Sequence, residues 1–288
     1  LAISIIVCSV NKKYFSDLVE NISVTIGCDY EIVHEDNLSN NNSISSVYNR
    51  LGTKAKFSNL VFIHEDVRIF TLDWGPIIIS LLNQTAVGLV GLMGSVFKSK
   101  YPSAWSSVPS NFYRISGHIN SNSINQELAE MYNDVSVIDG CFIAIRKDLF
   151  NRYKFDENLL GFHAYDVDLS LNVGQQYQIK VPQYIQYKHF SNGSLNRDWV
   201  ESYTYIHKKW QNILPARCHE ITEIEENLCD YLSIQNFYNA CYQNNLGFRT
   251  VLKFYFILIT KFFSINRLRY TKKTFSYFFN IDKYKSCL

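Results

Sequence analysis

A run of four apolar residues, Leu60 to Ile63, stops on His64, Glu65 and Asp66 and resumes at Val67. Imidazole and carboxylate groups titrate and bind metal, so their place at the end of a buried run is the first sign of chemistry. The pattern recurs. Glu35 and Asp36 close an earlier apolar run, Asp139 sits in a later one, Asp166 and Asp168 open a helical segment, and His189 follows the last strand-like run. Acids are depleted in strands, and in open α/β sheets ligands bind beyond the carboxyl ends of the strands. The plainer reading is that strands must end and that polar residues mark where they leave the core. One aspartate and one histidine with open positions suit Mn²⁺ or Mg²⁺ carrying a diphosphate. Neither GxxxxGK[ST] nor GxGxxG occurs, so no glycine loop cradles the phosphates. Asp166 starts a helix, where the positive end of the dipole favours the carboxylate that a general base needs. Alternatively, Asp166 and Asp168 only cap that helix.

These groups need a scaffold that gathers strand ends. Ala2–Val10, Tyr30–Asn37, Asn59–Val67 and Ala86–Gly94 read as strands. Between them lie helical patterns over Lys12–Ile26, Ser43–Ala55 (Ser43 as N-cap) and Asp73–Thr85, the last with Pro76 in its first turn. Such alternation predicts a mostly parallel sheet with helices on both faces. Ser95–Asn125 is polar and serine-rich and reads as a long functional loop. A further strand and then a helix start over Val135–Phe150, a helix after Gly161, one or two strands ending at His189 and an amphipathic helix over Asn196–Ile213 follow. Pro215 marks the expected boundary between a catalytic unit, 1–215, and a helical, basic and aromatic extension, 216–288.

With 288 residues, 47% hydrophobic, the chain can bury a full core. The charge is uneven. From Asn244 onward nine basic residues face one acid, Asp282, a net +8 that leaves −6 for the rest. The tail's apolar stretch is too short and too often broken by lysine to span a bilayer. It reads as an amphipathic helix on anionic lipid over 248–288, or as a packed subdomain with a solvated basic face. No nucleic-acid recognition motif accompanies the charge. Seven scattered cysteines suggest a reducing compartment. No basic lead precedes the first apolar run, so a cytoplasmic location is expected, with peripheral contact to the inner face of the membrane.

Taken in order, "CSVN", "EIVHEDN", "YNRLGTKA", "FIHEDV", "DGCFIAIRKDLF", "FDENLLGFHAYDVDLSL" and "HFSNGS" resemble the family-2-type glycosyltransferases with a GT-A fold, over Ile3 to Pro215. The likeness is to a bacterial subgroup whose metal motif reads HxDV rather than Asp-x-Asp. The resemblance implies donor-binding roles for Ser9, Asn11, Asp36, Asn49, His64, Glu65 and Asp66. It implies acceptor-side roles for Asp139 and Gly140, a metal held by Asp66 and His189, and Asp166 as catalytic base, and Trp105, from its place in the long loop, and Asp168 are further acceptor-side candidates. His64 stands where the motif has its first acid, and Tyr165 where a glutamate precedes the base.

The implied activity is inverting transfer of a sugar from a nucleoside diphosphate sugar to a hydroxyl of a glycan or lipid-linked acceptor in bacterial surface polysaccharide synthesis. A UDP-sugar is the first expectation and a dTDP-sugar the second, since either base offers Asp36 an N–H. The alternatives are a glycosidase or phosphoesterase built on the same carboxylates, and a degenerate, non-catalytic nucleotide-sugar or carbohydrate-binding protein. Trp105, Trp199 and Trp210 either stack on sugars or pack.

Overall fold

A computed structural model describes residues 1–117, 132–191, 193–244, 246 and 248–262. In chain order the elements are β1 (Ala2–Ser9), α1 (Lys12–Thr25), β2 (Asp29–Asp36), α2 (Ile44–Lys54), β3 (Asn59–Ile63), β4 (Val67–Ile69), α3 (Trp74–Leu82), β5 (Val87–Gly91), β6 (Met93–Ser95), β7 (Phe97–Lys98) and β8 (Tyr113–Ile115). Then come β9 (Tyr132–Val135), β10 (Val137–Ile138), β11 (Phe142–Arg146), α4 (Lys147–Arg152), α5 (Tyr165–Val173), β12 (Gln178–Pro182), β13 (Tyr187–His189), α6 (Arg197–Lys209), β14 (Ala216–Arg217), α7 (Glu223–Gln243) and α8 (Phe248–Lys261).

The main sheet has the order β2-β1-β3-β11-β5-β12-β9. β2, β1, β3, β5 and β12 point one way, and β11 and β9 run against them. The inner strands β3 and β5 are buried on both sides because both faces are covered, while the edge strands β2 and β9 are polar and partly exposed. Along β3, Leu60 and Phe62 enter one core with α2 and α5, while Val61 and Ile63 enter the other with α1 and α3. Helix starts are set locally. Asn11 caps α1 by accepting from the amides of Lys13 and Tyr14 (3.0 and 3.2 Å), and the Ser43 hydroxyl accepts from Ser46 at α2.

Two expectations change. Within Val135–Phe150 the helix start is present as α4, but the single strand before it is not. It breaks at Asp139–Cys141 into β10, in a small sheet with β6 and β8, and β11, in the main sheet. The polar stretch after Ser95 is partly ordered structure, with β7, a 3₁₀ turn over Ser110–Phe112 and β8. Its few apolar residues are irregularly spaced and find distant partners, so Val96, Phe97, Val108 and Phe112 pack with Cys229 of α7. Residues 118–125 of that stretch lie outside the described residues.

Beyond Pro215, β14 pairs with β7. Ile234, Phe237 and Tyr238 of α7 and Val251, Phe254 and Leu258 of α8 join the same core as α2 and α5. The apolar stripe of α8 is therefore spent on protein. Among the described residues no helix is long and apolar enough to cross a membrane. The basic stretch from 263 to 288, part of the expected lipid-facing segment, lies outside the described residues.

Candidate active site

The carboxyl edge of the sheet gathers the groups. β3 ends at Ile63, opposite Phe142, the first residue of β11. Because β11 is antiparallel, its entry lies at the exit of β3, and the His64 amide donates to the Cys141 carbonyl (3.0 Å). Asp139, just before β11, is thereby brought beside His64. Its carboxylate accepts from the Cys141 amide (2.8 Å) and from the Trp105 indole N–H (2.5 Å). α5 brings Asp166 to the same place. Its first turn follows Ala164, whose φ of +67° is a left-handed conformation that costs a non-glycine residue about 1–3 kcal/mol. A cavity of about 670 Å³ opens here, lined among others by His64, Trp105, Asp139, Asp166, His189 and Tyr203.

His64, Asp66 and His189 offer ligand atoms within 4.8 Å of one another. β13 pairs with β4, setting His189 opposite Val67 and so beside Asp66. His189 Nε2 lies 3.3 Å from Asp66 Oδ1, within ion-pair reach but out of line for a hydrogen bond, and it is buried without a hydrogen-bond partner among the described residues. An orphaned buried nitrogen facing a carboxylate and a second imidazole is the donor set of a divalent-cation site. Burial pushes the Asp66 carboxyl up, but His189 and His64 outweigh it and hold the group below its ordinary value. Burial pushes the His189 imidazole down, but Asp66 outweighs it and raises the group. Burial, with His189 alongside, lowers His64.

Among the described residues, no cationic side chain pairs with Asp166. Its oxygens accept from the amides of Val167 (2.8 Å) and Gly140 (2.9 Å). Burial first, and then the charge of Asp139, push its carboxyl up to about 7, and these amides do not offset them. The helix start alone favours the ionised form, but here it is the smaller effect. The result is a carboxylate with the proton affinity of a general base working near neutral pH.

A glycosyltransferase-like family model matches residues 4–208, more than half of the chain. The chain belongs to this glycosyltransferase-like family. A search of the curated proteins finds no match. Among solved structures, the chain is similar to GalNAc-T7 with UDP, GalNAc and Mn²⁺ at 8% identity and a TM-score of 0.52, over 74% of this chain and 48% of that one. It thus spans about half the length of that protein. It is also similar to residues 1–349 of Staphylococcus aureus TarS (14% identity, TM-score 0.48, 97% of this chain and 80% of that one). A third similar structure is the mannosyltransferase PcManGT from Pyrobaculum calidifontis, in complex with GDP-Man and Mn²⁺ (10% identity, TM-score 0.48, 99% of this chain and 87% of that one). The fold is that of a GT-A glycosyltransferase, a mostly parallel sheet flanked by helices.

Seen as a family member, the chain distributes its expected site residues unevenly. His64, Trp105, Asp139, Gly140, Asp166 and His189 line the cavity, and Asp66 adjoins it through His189. Ser9, Asn11, Asp36 and Glu65 cluster at the ends of β1, β2 and β3. There the Ser9 hydroxyl meets His34 Nε2 (2.6 Å), and Glu65 accepts from the amides of Val10 and Asn11 at the start of α1 (3.0–3.2 Å). Asp36 accepts from the Leu38 amide (3.1 Å).

Asn49 stands apart from the cavity. Its amide donates to the Phe155 carbonyl and to Glu157, and its oxygen accepts from the Phe155 amide, tying α2 to the loop after α4. Asp168 also lies outside the cavity lining. It accepts from the Trp210 indole (2.7 Å) and from Lys209, which joins α5 to α6, so Trp210 packs as a strut. Tyr203 and Trp199 line the cavity from α6, and their i, i+4, i+7 spacing with Ile206 looks in sequence like any core stripe. Tyr165 was visible in sequence only as a departure from the family pattern. Its hydroxyl bridges His64 Nε2 (2.6 Å) and the Gly140 carbonyl (3.1 Å).

Proposed function

We propose that the chain is an inverting glycosyltransferase that moves a sugar from a nucleoside diphosphate sugar to an acceptor hydroxyl. The observation that carries this reading is the juxtaposition of an uncompensated carboxylate, Asp166, with the His64, Asp66 and His189 cluster at the carboxyl edge of the sheet. Asp166 takes the proton of the acceptor hydroxyl as its oxygen attacks the anomeric carbon, and the nucleoside diphosphate leaves from the opposite face. The single displacement inverts the anomeric centre. His64, Asp66 and His189 would hold a divalent cation, which supplies positive charge to the leaving diphosphate. Two imidazoles beside one carboxylate favour Mn²⁺ over Mg²⁺, which takes oxygen ligands.

Ser9, Asn11, Asp36 and Glu65 form the donor side, with UDP ahead of dTDP as the nucleotide. Trp105 and Asp139 form the acceptor side. We place the chemistry in 1–215 and treat 216–288 as its extension. A bacterial surface glycan or its lipid-linked precursor is the acceptor class suggested by the sequence resemblance, and the cytoplasmic face of a membrane is where it would be met.

Thermal unfolding of wild type and Asp66→Ala with UDP, dTDP and GDP, each with and without Mn²⁺, tests the donor site. Ligand at about 100 times its dissociation constant adds about 2.7 kcal/mol. A Mn²⁺-dependent rise in Tm with one nucleotide, absent in Asp66→Ala, is the expected result. No rise with any of the three overturns the reading in favour of a protein that has lost donor binding.

A further inference from the structure

The hydroxyl of Tyr165 stands between two groups, and one order of hydrogen bonds satisfies both contacts at once. The Gly140 carbonyl is buried, can only accept, and meets the Tyr165 hydroxyl at 3.1 Å. The hydroxyl hydrogen is therefore directed to Gly140. At 2.6 Å on its other side, the Tyr165 oxygen faces His64 Nε2, and both contacts are made when it accepts from that nitrogen. Nε2 then carries the ring hydrogen, and Nδ1 keeps its lone pair. A neutral imidazole has one donor and one acceptor nitrogen, and the partner of one decides the role of the other.

The surroundings hold this arrangement still. The Tyr165 ring is fully enclosed and packs edge-on against Tyr48 (5.9 Å between centroids) and against Phe155 (5.9 Å). Position 140 admits only glycine, since a Cβ there would fall 2.2 Å from the Tyr165 hydroxyl oxygen. On the other side of His64, its backbone amide is fixed to the Cys141 carbonyl.

We infer that Tyr165 is a positioning residue for the metal site: through the relay from Gly140 to Tyr165 to His64, it locks His64 as the Nε2–H tautomer and leaves Nδ1 free as a ligand atom alongside Asp66 and His189. The inference rests on the divalent-cation reading of that cluster. It gives a physical role to the tyrosine that stands beside the proposed base where the sequence resemblance expects an acid. One residue pair, Tyr165 and Asp166, then serves both halves of the site, the first through its hydroxyl to the metal side and the second through its carboxylate to the acceptor.

The test uses the full chain and Mn²⁺ alone, followed by electron paramagnetic resonance titration. Tyr165→Phe keeps the ring and removes the relay, and is expected to weaken Mn²⁺ binding about 10–100-fold. Tyr48→Phe removes a hydroxyl from the same aromatic cluster that has no hydrogen-bond partner among the described residues, and should leave affinity unchanged. In parallel, ¹H–¹⁵N spectra of the histidine-labelled wild type, with His64 assigned through His64→Gln, read the tautomer directly and without metal. An Nε2–H His64 in these spectra with selective weakening in Tyr165→Phe supports the relay. Unchanged affinity in Tyr165→Phe, with Asp66→Ala still losing the ion, overturns the relay and leaves the metal site standing. Wild type that binds no Mn²⁺ overturns the metal reading instead, and an Nδ1–H His64 overturns the tautomer lock whatever the metal does.

Discussion

Asp166 in the cavity and Asp230 on α7 are both buried carboxylates, and their surroundings are opposite. Asp230 is fully enclosed and answered on every side. The Ser99 hydroxyl donates to it at 2.7 Å, and the ammonium groups of Lys100 and Lys261 stand at 3.1 and 3.2 Å. Asp166 receives two backbone amides and faces another acid, Asp139. A buried charge with its counter-charge in place holds structure together. A buried charge left without one stores proton affinity, which is what a base uses. Asp168, two residues after Asp166, has partners as Asp230 does, Lys209 and Trp210, although burial still outweighs them and raises its carboxyl. Position on one helix did not decide between these fates, and the partners did.

The largest expected effect separates the two regions by activity. Asp166→Asn should lower the transfer rate about 10²–10⁴-fold while nucleotide binding, measured by thermal shift, persists. Retention of most of the rate would put Asp166 with the structural carboxylates. Asp230→Ala should do the reverse. Removing one partner of a buried ion pair costs about 3–5 kcal/mol, and the low end applies because Lys100 and Lys261 reach water. A urea melt should show a loss of about 3 kcal/mol, with the rate per folded molecule little changed. A stability loss under about 0.5 kcal/mol would mean that the Asp230 cluster is not the strut its geometry suggests.

The smallest effect is in pH. The Asp166 carboxyl lies near 7 in the folded protein against an ordinary 3.8. Transfer should fall about tenfold per pH unit below about 7 and level off above it. For stability the sign is a cost. The folded protein holds this proton more tightly than the unfolded chain does, so the cost grows as pH rises from about 4 to about 7 and is fully present above that. Asp166→Asn removes the ionisable group, so its stability relative to wild type should improve over that range. A flat difference between the two proteins from pH 4 to 8 would show that Asp166 ionises at its ordinary value.

Much of this was legible in the sequence where the cause is local. The strand-helix alternation follows from runs such as Leu60–Ile63 and from caps such as Ser43, and each depends on residues a few positions apart. The strand ends carrying Asp36 and Asp66, and the helix start carrying Asp166, could be marked for the same reason. His189 was marked as the polar end of a run. What could not be read was which distant groups meet. Asn49 belongs to the loop at Phe155, 106 residues away, and Asp168 to Trp210, 42 residues away. Asn49 and Asp168 in sequence look like the donor and acceptor contacts that the family resemblance implied.

By itself, then, the sequence determined the elements, the two-faced burial of the sheet and the set of titratable groups at its edge, because periodicity and capping act within a turn or a strand. The tertiary structure decided the rest. The antiparallel insertion of β11 turned the beginning of a strand toward the same edge as the ends of its neighbours and so placed Asp139 beside Asp166. That packing stripped Asp166 of water without supplying a cation, gave Asp168 and Asp230 their lysines, and set the Tyr165 hydroxyl between Gly140 and His64. Burial and charge pairing are properties of what surrounds a group in space, and only the folded chain specifies them.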